Sequence, residues 1–199
     1  WFKDKLERQL EFFKDENVGM VISNTIFFNN NKSKKFYFKK PPTGYVFFDL
    51  LINYFISLET LVCRTKYIKD ISFEFNKNFS MISDLDLTLR LSQICKLSYC
   101  PHTLSKWRIH SSSDSWKKKN LFFLEKLDLI ENLKIENFNL DNKKFIYYKK
   151  EFINKVKCSI ILNQIEFGKK RKNLLEDLFK QKLEFKYFLF LFFLILFPF

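Results

Sequence analysis

Two short stretches hold the side chains best suited to chemistry, SDLDLTLRL at 83–91 and KWRIH at 106–110. Asp84 and Asp86 offer carboxylates, ionised at neutral pH and able to take a proton from a hydroxyl. Arg108 offers a planar fork of N–H groups suited to a phosphate, and His110 an imidazole that can ligate a metal. The hydroxyls of Ser111, Ser112 and Ser113 come next in the chain. Spacing weakens any pairing of the two acids, because residues two apart on a helix point to different faces. At a helix start either acid complements the positive end of the dipole, and on periodicity alone that structural role is the simpler reading. On the same terms His110 reads as a surface histidine at a strand end. His102, beside Pro101, has less claim still.

Other chemistries are poorly served. The chain has 3 Gly and no G-x-G-x-x-G, Walker or G-x-S-x-G motif, so these residues supply neither a glycine-rich phosphate cradle nor a nucleophile elbow. Its 4 Cys form no C-x-x-C pair. That spacing fits isolated buried thiols in a reducing compartment better than a zinc site. The net charge of +13 suits nucleic acid, an anionic membrane or phosphate-bearing substrates. Over 117–199 there are 18 basic and 10 acidic residues beside a strongly apolar terminus, which favours a membrane surface. No nucleic-acid motif is present, and nucleic acid is not expected as a partner. With 27 Phe and no Ala, the composition is skewed as in AT-rich coding sequences, and residue abundance decides little.

The elements that must position these groups follow from the hydrophobic period. Residues 1–14 carry Phe2, Leu6, Leu10 and Phe13 at helical spacing. VGMVISNTIFF at 18–28 is a β-branched run; NNNKSKK then reads as a turn and FYF at 36–38 as a second strand. PPTG at 41–44 breaks the chain before a helix over 45–56. ETLVCRTKYIKDI at 59–71 reads as a short buried strand running into a helical turn. Ser83 is placed as the N-cap of a helix reaching about Cys95, with Asp86 in the capping-box position. LSYCP and LSKWRIH read as two short strands around a turn at Pro101. From 117 onward lysine-rich amphipathic segments are expected, broken near NFNLDN and at Gly168, with a basic amphipathic helix over 169–185. The uncharged run from Tyr187 to the end falls short of the roughly 20 residues a bilayer span needs. It suits a truncated span or a helix lying in the membrane interface, with Lys169, Lys170, Arg171 and Lys172 near the headgroups, or else a core helix.

The order and spacing of these segments resemble the family 2 glycosyltransferases, nucleotide-sugar enzymes of the GT-A fold. In that family a metal-binding D-x-D run is followed by a Trp and a kLe-Q helix; here Trp1 precedes DKLERQ at 4–9. VGMVISN looks like the family strand that comes next. LLINYFISLETLVCRTKYIKDI is similar to its helix, buried strand and Arg-led turn, with Asn53, Thr60 and Arg64 at the matching places. MISDLDLTLRL resembles E-D-x-D-L-x-L-R-L, and LSKWRIHSSSDS resembles the Y-R-x-H segment. The resemblance covers 1–116 and continues loosely beyond, where FGKKRKNLLEDLF and the apolar end with Pro198 look like the tails of bacterial cell-surface members. Three positions depart from the pattern: Ser83 replaces an acid, Ser111 a glycine, and ISFEF at 71–75 a Gly-Asp turn.

The resemblance implies an α/β fold: a partial GT-A mixed sheet with flanking helices over 1–116, a basic helical extension over 117–184, and an apolar segment over 185–199 contacting a membrane. It implies an enzyme that moves a sugar from a nucleotide-diphospho-sugar to a glycan or lipid-linked acceptor, with inversion. The expected location is cytoplasmic, peripheral to the inner face of the cell membrane. Asp84 is then the general base and Asp86 the helix-start acid that holds its backbone, with Arg90 as partner one turn on. Asp86, Arg108 and Trp1 are expected against substrate, Arg108 on the diphosphate, and His110 on a Mg²⁺ or Mn²⁺. The sugar-nucleotide half is expected to precede Trp1, leaving this stretch inactive alone. The alternative is a non-catalytic membrane-surface interaction module on the same scaffold.

Overall fold

The β-branched run forms the strand on which the rest is organised, β1 (Val18–Phe28), buried along most of its length. A computed structural model describes residues 1–71, 75–110, 117–135 and 140–196. The other strands are β2 (Ser33–Lys35), β3 (Val62–Cys63) and β4 (Lys96–Arg108). One edge of β1 pairs in parallel with β4, from Val18 opposite Lys96 to Phe28 opposite Arg108. The other edge takes the two short strands antiparallel, Met20 and Val21 against β3, and Ile26, Phe27 and Phe28 against β2. The described residues thus make a mixed open four-stranded sheet. A central strand covered on both faces carries a continuous apolar run, as β1 does.

The helices are α1 (Lys5–Leu10), α2 (Phe47–Ile52), α3 (Thr65–Asp70), α4 (Ser83–Ser92), α5 (Lys119–Asn132), α6 (Asn142–Glu166), α7 (Arg171–Lys180) and α8 (Phe185–Leu196). Met20, Ile22 and Leu97 face a main core filled by Phe47, Leu50, Leu85, Leu89, Leu129 and Phe152. On the opposite face Val18, Val21, Cys100 and Leu104 are closed by Phe12 and Phe13, which follow α1. The long α6 belongs to two cores: Phe152 and Val156 enter the main one, while Cys158 and Ile161 join Leu174, Leu178, Leu191 and Ile195 of the terminal helices. The fold is α/β, as expected. All four thiols are free, and Cys95, Cys100 and Cys158 are buried.

Three local expectations are corrected. Pro101 does not separate two strands; β4 runs through it. Register shifts where Ser23 pairs with Cys100 but Asn24 with Thr103, so Pro101 and His102 form the extra residues of a bulge, where a missing N–H costs no ladder bond. The second strand is the polar Ser33–Lys35 rather than FYF. The Asn29 side chain accepts from the N–H groups of Asn31 and Lys32 at 2.9 and 2.8 Å, tightening the turn so that pairing begins earlier. The third correction is that α2 stops at Ile52, with Asn53 extended at φ −154° and ψ 113°. The chain beyond it, including Tyr54, therefore leaves the helical period.

Candidate functional site

Asp84 sits in the first turn of α4, and its surroundings come from three separate elements. The N-cap is Ile82, without a side-chain cap. Ser83 turns its hydroxyl back to the Phe79 carbonyl at 2.5 Å, so the expected capping box does not form. The turn before α4 is held instead from α5. The buried Glu125 carboxylate accepts from the Ser80 N–H and hydroxyl, both at 3.0 Å, and from the Met81 N–H at 2.8 Å. Burial pushes the Glu125 pKa up, but these hydrogen bonds more than offset it and leave it below its ordinary value.

The half-buried Asp84 carboxylate accepts at Oδ2 from the Tyr54 hydroxyl at 2.9 Å. Burial, and then the Asp84 charge, push the Tyr54 phenol far above its ordinary pKa, so Tyr54 stays protonated and keeps donating. The Thr88 hydroxyl donates to the Asp84 carbonyl at 2.8 Å, fixing the same turn. Lys126, next to Glu125 on α5, lies within electrostatic reach: burial lowers its pKa and the Asp84 charge pulls it back up. Its ammonium rests 4.2 Å from the centre of the Phe122 ring. A phenol donor and a helix start thus face this carboxylate. Such a group can take a proton from a neutral hydroxyl.

Asp86 faces elsewhere. Only 5 % exposed, it accepts from Arg90 Nη2 at 2.8 Å and Nε at 3.1 Å, the pairing expected from the sequence. Arg90 also donates to the Ile71 carbonyl at 3.0 Å, so the pair ties α4 to the end of α3. Arg108 ends β4 in an exposed position, its guanidinium 5.4 Å from the centre of the Phe28 ring. His110 is exposed two residues further on. Tyr37, which packs with Tyr54 against the same core, meets the Tyr99 ring at 5.5 Å, and Tyr99 lies opposite Ile22. Arg108 lies opposite Phe28, well along the sheet from that level.

Trp1 is 73 % exposed and covers the Lys5 ammonium at 4.3 Å. Lys5 is buried and donates to Gln9 Oε1 at 2.6 Å, while Gln9 Nε2 donates to the Thr60 and Val21 carbonyls at 2.8 and 3.1 Å. The DKLERQ segment therefore clamps α1 to the edge of β1 and to the turn at Leu58–Thr60. Trp1 belongs with α1, on the side of the sheet away from α4. Among the sequence-selected residues, the structure brings together Asp86 and Arg90. It separates Asp84 from Trp1 by the sheet.

Among the described residues no three His, Cys, Asp or Glu side chains converge on a point where an ion could sit. No step below runs through a divalent cation. The residues around Asp84 that sequence reasoning missed are Tyr54, Glu125 and Lys126. Tyr54 looked like part of a helix, and the other two like the solvated face of an amphipathic one.

Fold and site together define a mixed α/β protein with a carboxylate held at the start of a core helix. Comparison with known proteins adds no relative: no family model, no curated protein and no solved structure matches this chain.

Proposed function

We propose that the chain serves sugar transfer from a nucleotide-diphospho-sugar to an acceptor hydroxyl, in the manner of the family 2 glycosyltransferases it resembles, with Asp84 as general base. The observation that carries this reading is the setting of Asp84: Oδ2 engaged by Tyr54, with the Lys126 ammonium within electrostatic reach. Among the described residues no hydrogen bond occupies Oδ1. The acceptor O–H gives its proton to Oδ1 as its oxygen bonds to the anomeric carbon. The bond from that carbon to the diphosphate oxygen breaks with its electron pair, and the nucleoside diphosphate leaves. Attack opposite the leaving group inverts the anomeric centre. Tyr54 orients the carboxylate. Asp84→Asn in the full-length protein tests the assignment: transfer is expected to be lost with sugar-nucleotide binding retained.

The terminal helices support a place on an anionic membrane surface. No helix among the described residues is long and apolar enough to cross a membrane. The α8 helix nonetheless exposes Phe185, Phe190 and Phe193, and Arg171 of α7 donates to its last carbonyl, that of Leu196, at 3.0 Å. Exposed aromatics beside basic side chains suit a helix lying in the headgroup region. These same features favour the second reading, a non-catalytic membrane-surface module. A transfer assay separates the two.

A further inference from the structure

We propose that the β1–β2 hairpin is a membrane-docking element that seats on anionic lipid, separate from the terminal helices. Its charge is one-sided. Between Glu16 and Asp49 the chain has Lys32, Lys34, Lys35, Lys39 and Lys40 and no acidic residue. Over 97–110, most of which pairs along the other edge of β1, it has Lys106 and Arg108 and again no acid.

Antiparallel pairing of β2 with the end of β1, Phe28 opposite Ser33, sets these charges beside an aromatic cluster. A groove of about 570 Å³ lies there. Phe27, Phe28, Phe36, Phe38 and Ile109 form its apolar walls, and Lys32, Lys34 and Lys35 its charged ones. No carboxylate stands among the described residues that line it. The whole of β2 is exposed, and Phe38 is 71 % exposed. Two cations rest on rings: Lys34 Nζ is 5.0 Å from the centre of Phe38, and the Arg108 guanidinium 5.4 Å from that of Phe28.

These features select the partner. An exposed apolar patch edged by cations fits the boundary between acyl chains and lipid phosphates. The rings lie on the acyl side, and the lysine stems run along them to place the ammonium groups at the phosphates. Lysines on an edge strand also discourage pairing with another chain, but that role requires no exposed phenylalanine beside them. Nucleic acid would meet the same charges, yet its bases stack on open ring faces. Here Phe27 is engaged by Phe36 and by Trp107, each with ring centres 4.8 Å away, while Phe38 and Phe28 carry cations. The amide in the groove, Asn29, commits its Oδ1 to the turn rather than to a base edge. An acidic peptide would pair the lysines and leave the aromatic walls in water. The hairpin thus adds a second lipid contact to that of α8; this rests on the membrane placement proposed above and not on sugar transfer.

The test is sedimentation of the full chain with phosphatidylserine vesicles. The double variant Lys34→Gln, Lys35→Gln should weaken binding about tenfold or more, the loss expected for two cations near an anionic surface. Phe38→Ser should weaken it too, with the thermal midpoint of both variants unchanged because these side chains are exposed. In Phe38→Trp the added emission should shift to the blue on the vesicles and be quenched by brominated acyl chains. Unchanged affinity in the lysine and Phe38→Ser variants, or an added emission that does not respond, would overturn the proposal. So would a single-stranded oligonucleotide that binds more tightly than the vesicles and is released by the lysine variant. Binding lost with Phe190→Ser and Phe193→Ser but kept in the hairpin variants refutes the hairpin alone. No binding of the wild-type chain to these vesicles refutes the membrane placement along with it, and leaves the Asp84 assignment untouched.

Discussion

Asp84 acquires its character from partners distant in sequence. Tyr54 reaches it from the extended chain after α2, and Lys126 from α5, while Glu125 on α5 fixes the turn that leads into it. Glu125 is the residue whose removal is most legible in stability. Its folded pKa lies below the ordinary value of 4.5. Its contribution is therefore complete above that pH and is lost as pH falls from 4.5 through the folded value. Glu125→Gln, measured by urea unfolding at neutral pH, should cost about 2 kcal/mol, typical of hydrogen bonds to a charged group. The gap to wild type should close as both are taken into acid. An unchanged midpoint at neutral pH would contradict the role given to this carboxylate. In the sequence, Asp84, Asp86 and the Asp86–Arg90 pair were readable because they lie close together on one helix. Tyr54, Glu125 and Lys126 were not, because nothing local marks a side chain that acts across the fold.

At the scale of elements, the sheet depends on a close approach that only glycine permits. A Cβ on Gly19 would collide with Cys95 Sγ and would stand 2.6 Å from both Cys95 Cβ and Tyr67 Cδ2. Gly19 lies in β1 where β1 meets α3 and the end of α4, so neither neighbour is a flexible surface tip. Gly19→Ala should destabilise by roughly 1–3 kcal/mol through overpacking, read as a lower thermal midpoint. Equal stability would mean that the packing here yields more easily than these distances allow. Period and composition made β1, β3, the helix over 83–92 and the break at Gly168 readable in advance. They missed the continuous β4, because a proline signals a turn unless a bulge absorbs it. They also missed the strand Ser33–Lys35, whose polar residues are exposed on an edge and carry no alternation of apolar side chains.

At the scale of the molecule, the chain divides its charge and its apolar surface unevenly. The sheet and its helices enclose one core on each face, whereas α7 and α8 pack on the far end of α6 and leave Phe179, Phe185, Phe190 and Phe193 exposed. With a net charge of +13, that surface should bind phosphatidylserine vesicles in a sedimentation assay and release them as salt rises. Phe190→Ser with Phe193→Ser should weaken binding without unfolding the core. Equal binding to neutral phosphatidylcholine vesicles at all salt concentrations would contradict a charge-assisted surface. Under the proposed function, such a surface would bring the site to lipid-linked acceptors at a membrane. The most direct measurement of the central claim is therefore made at Asp84. Transfer from UDP-sugars and calorimetric binding of UDP are compared for the full-length protein and Asp84→Asn. The account predicts that transfer falls about 100-fold or more, as when a general base is removed, while UDP binds with unchanged affinity. Transfer at the wild-type rate by Asp84→Asn would contradict it.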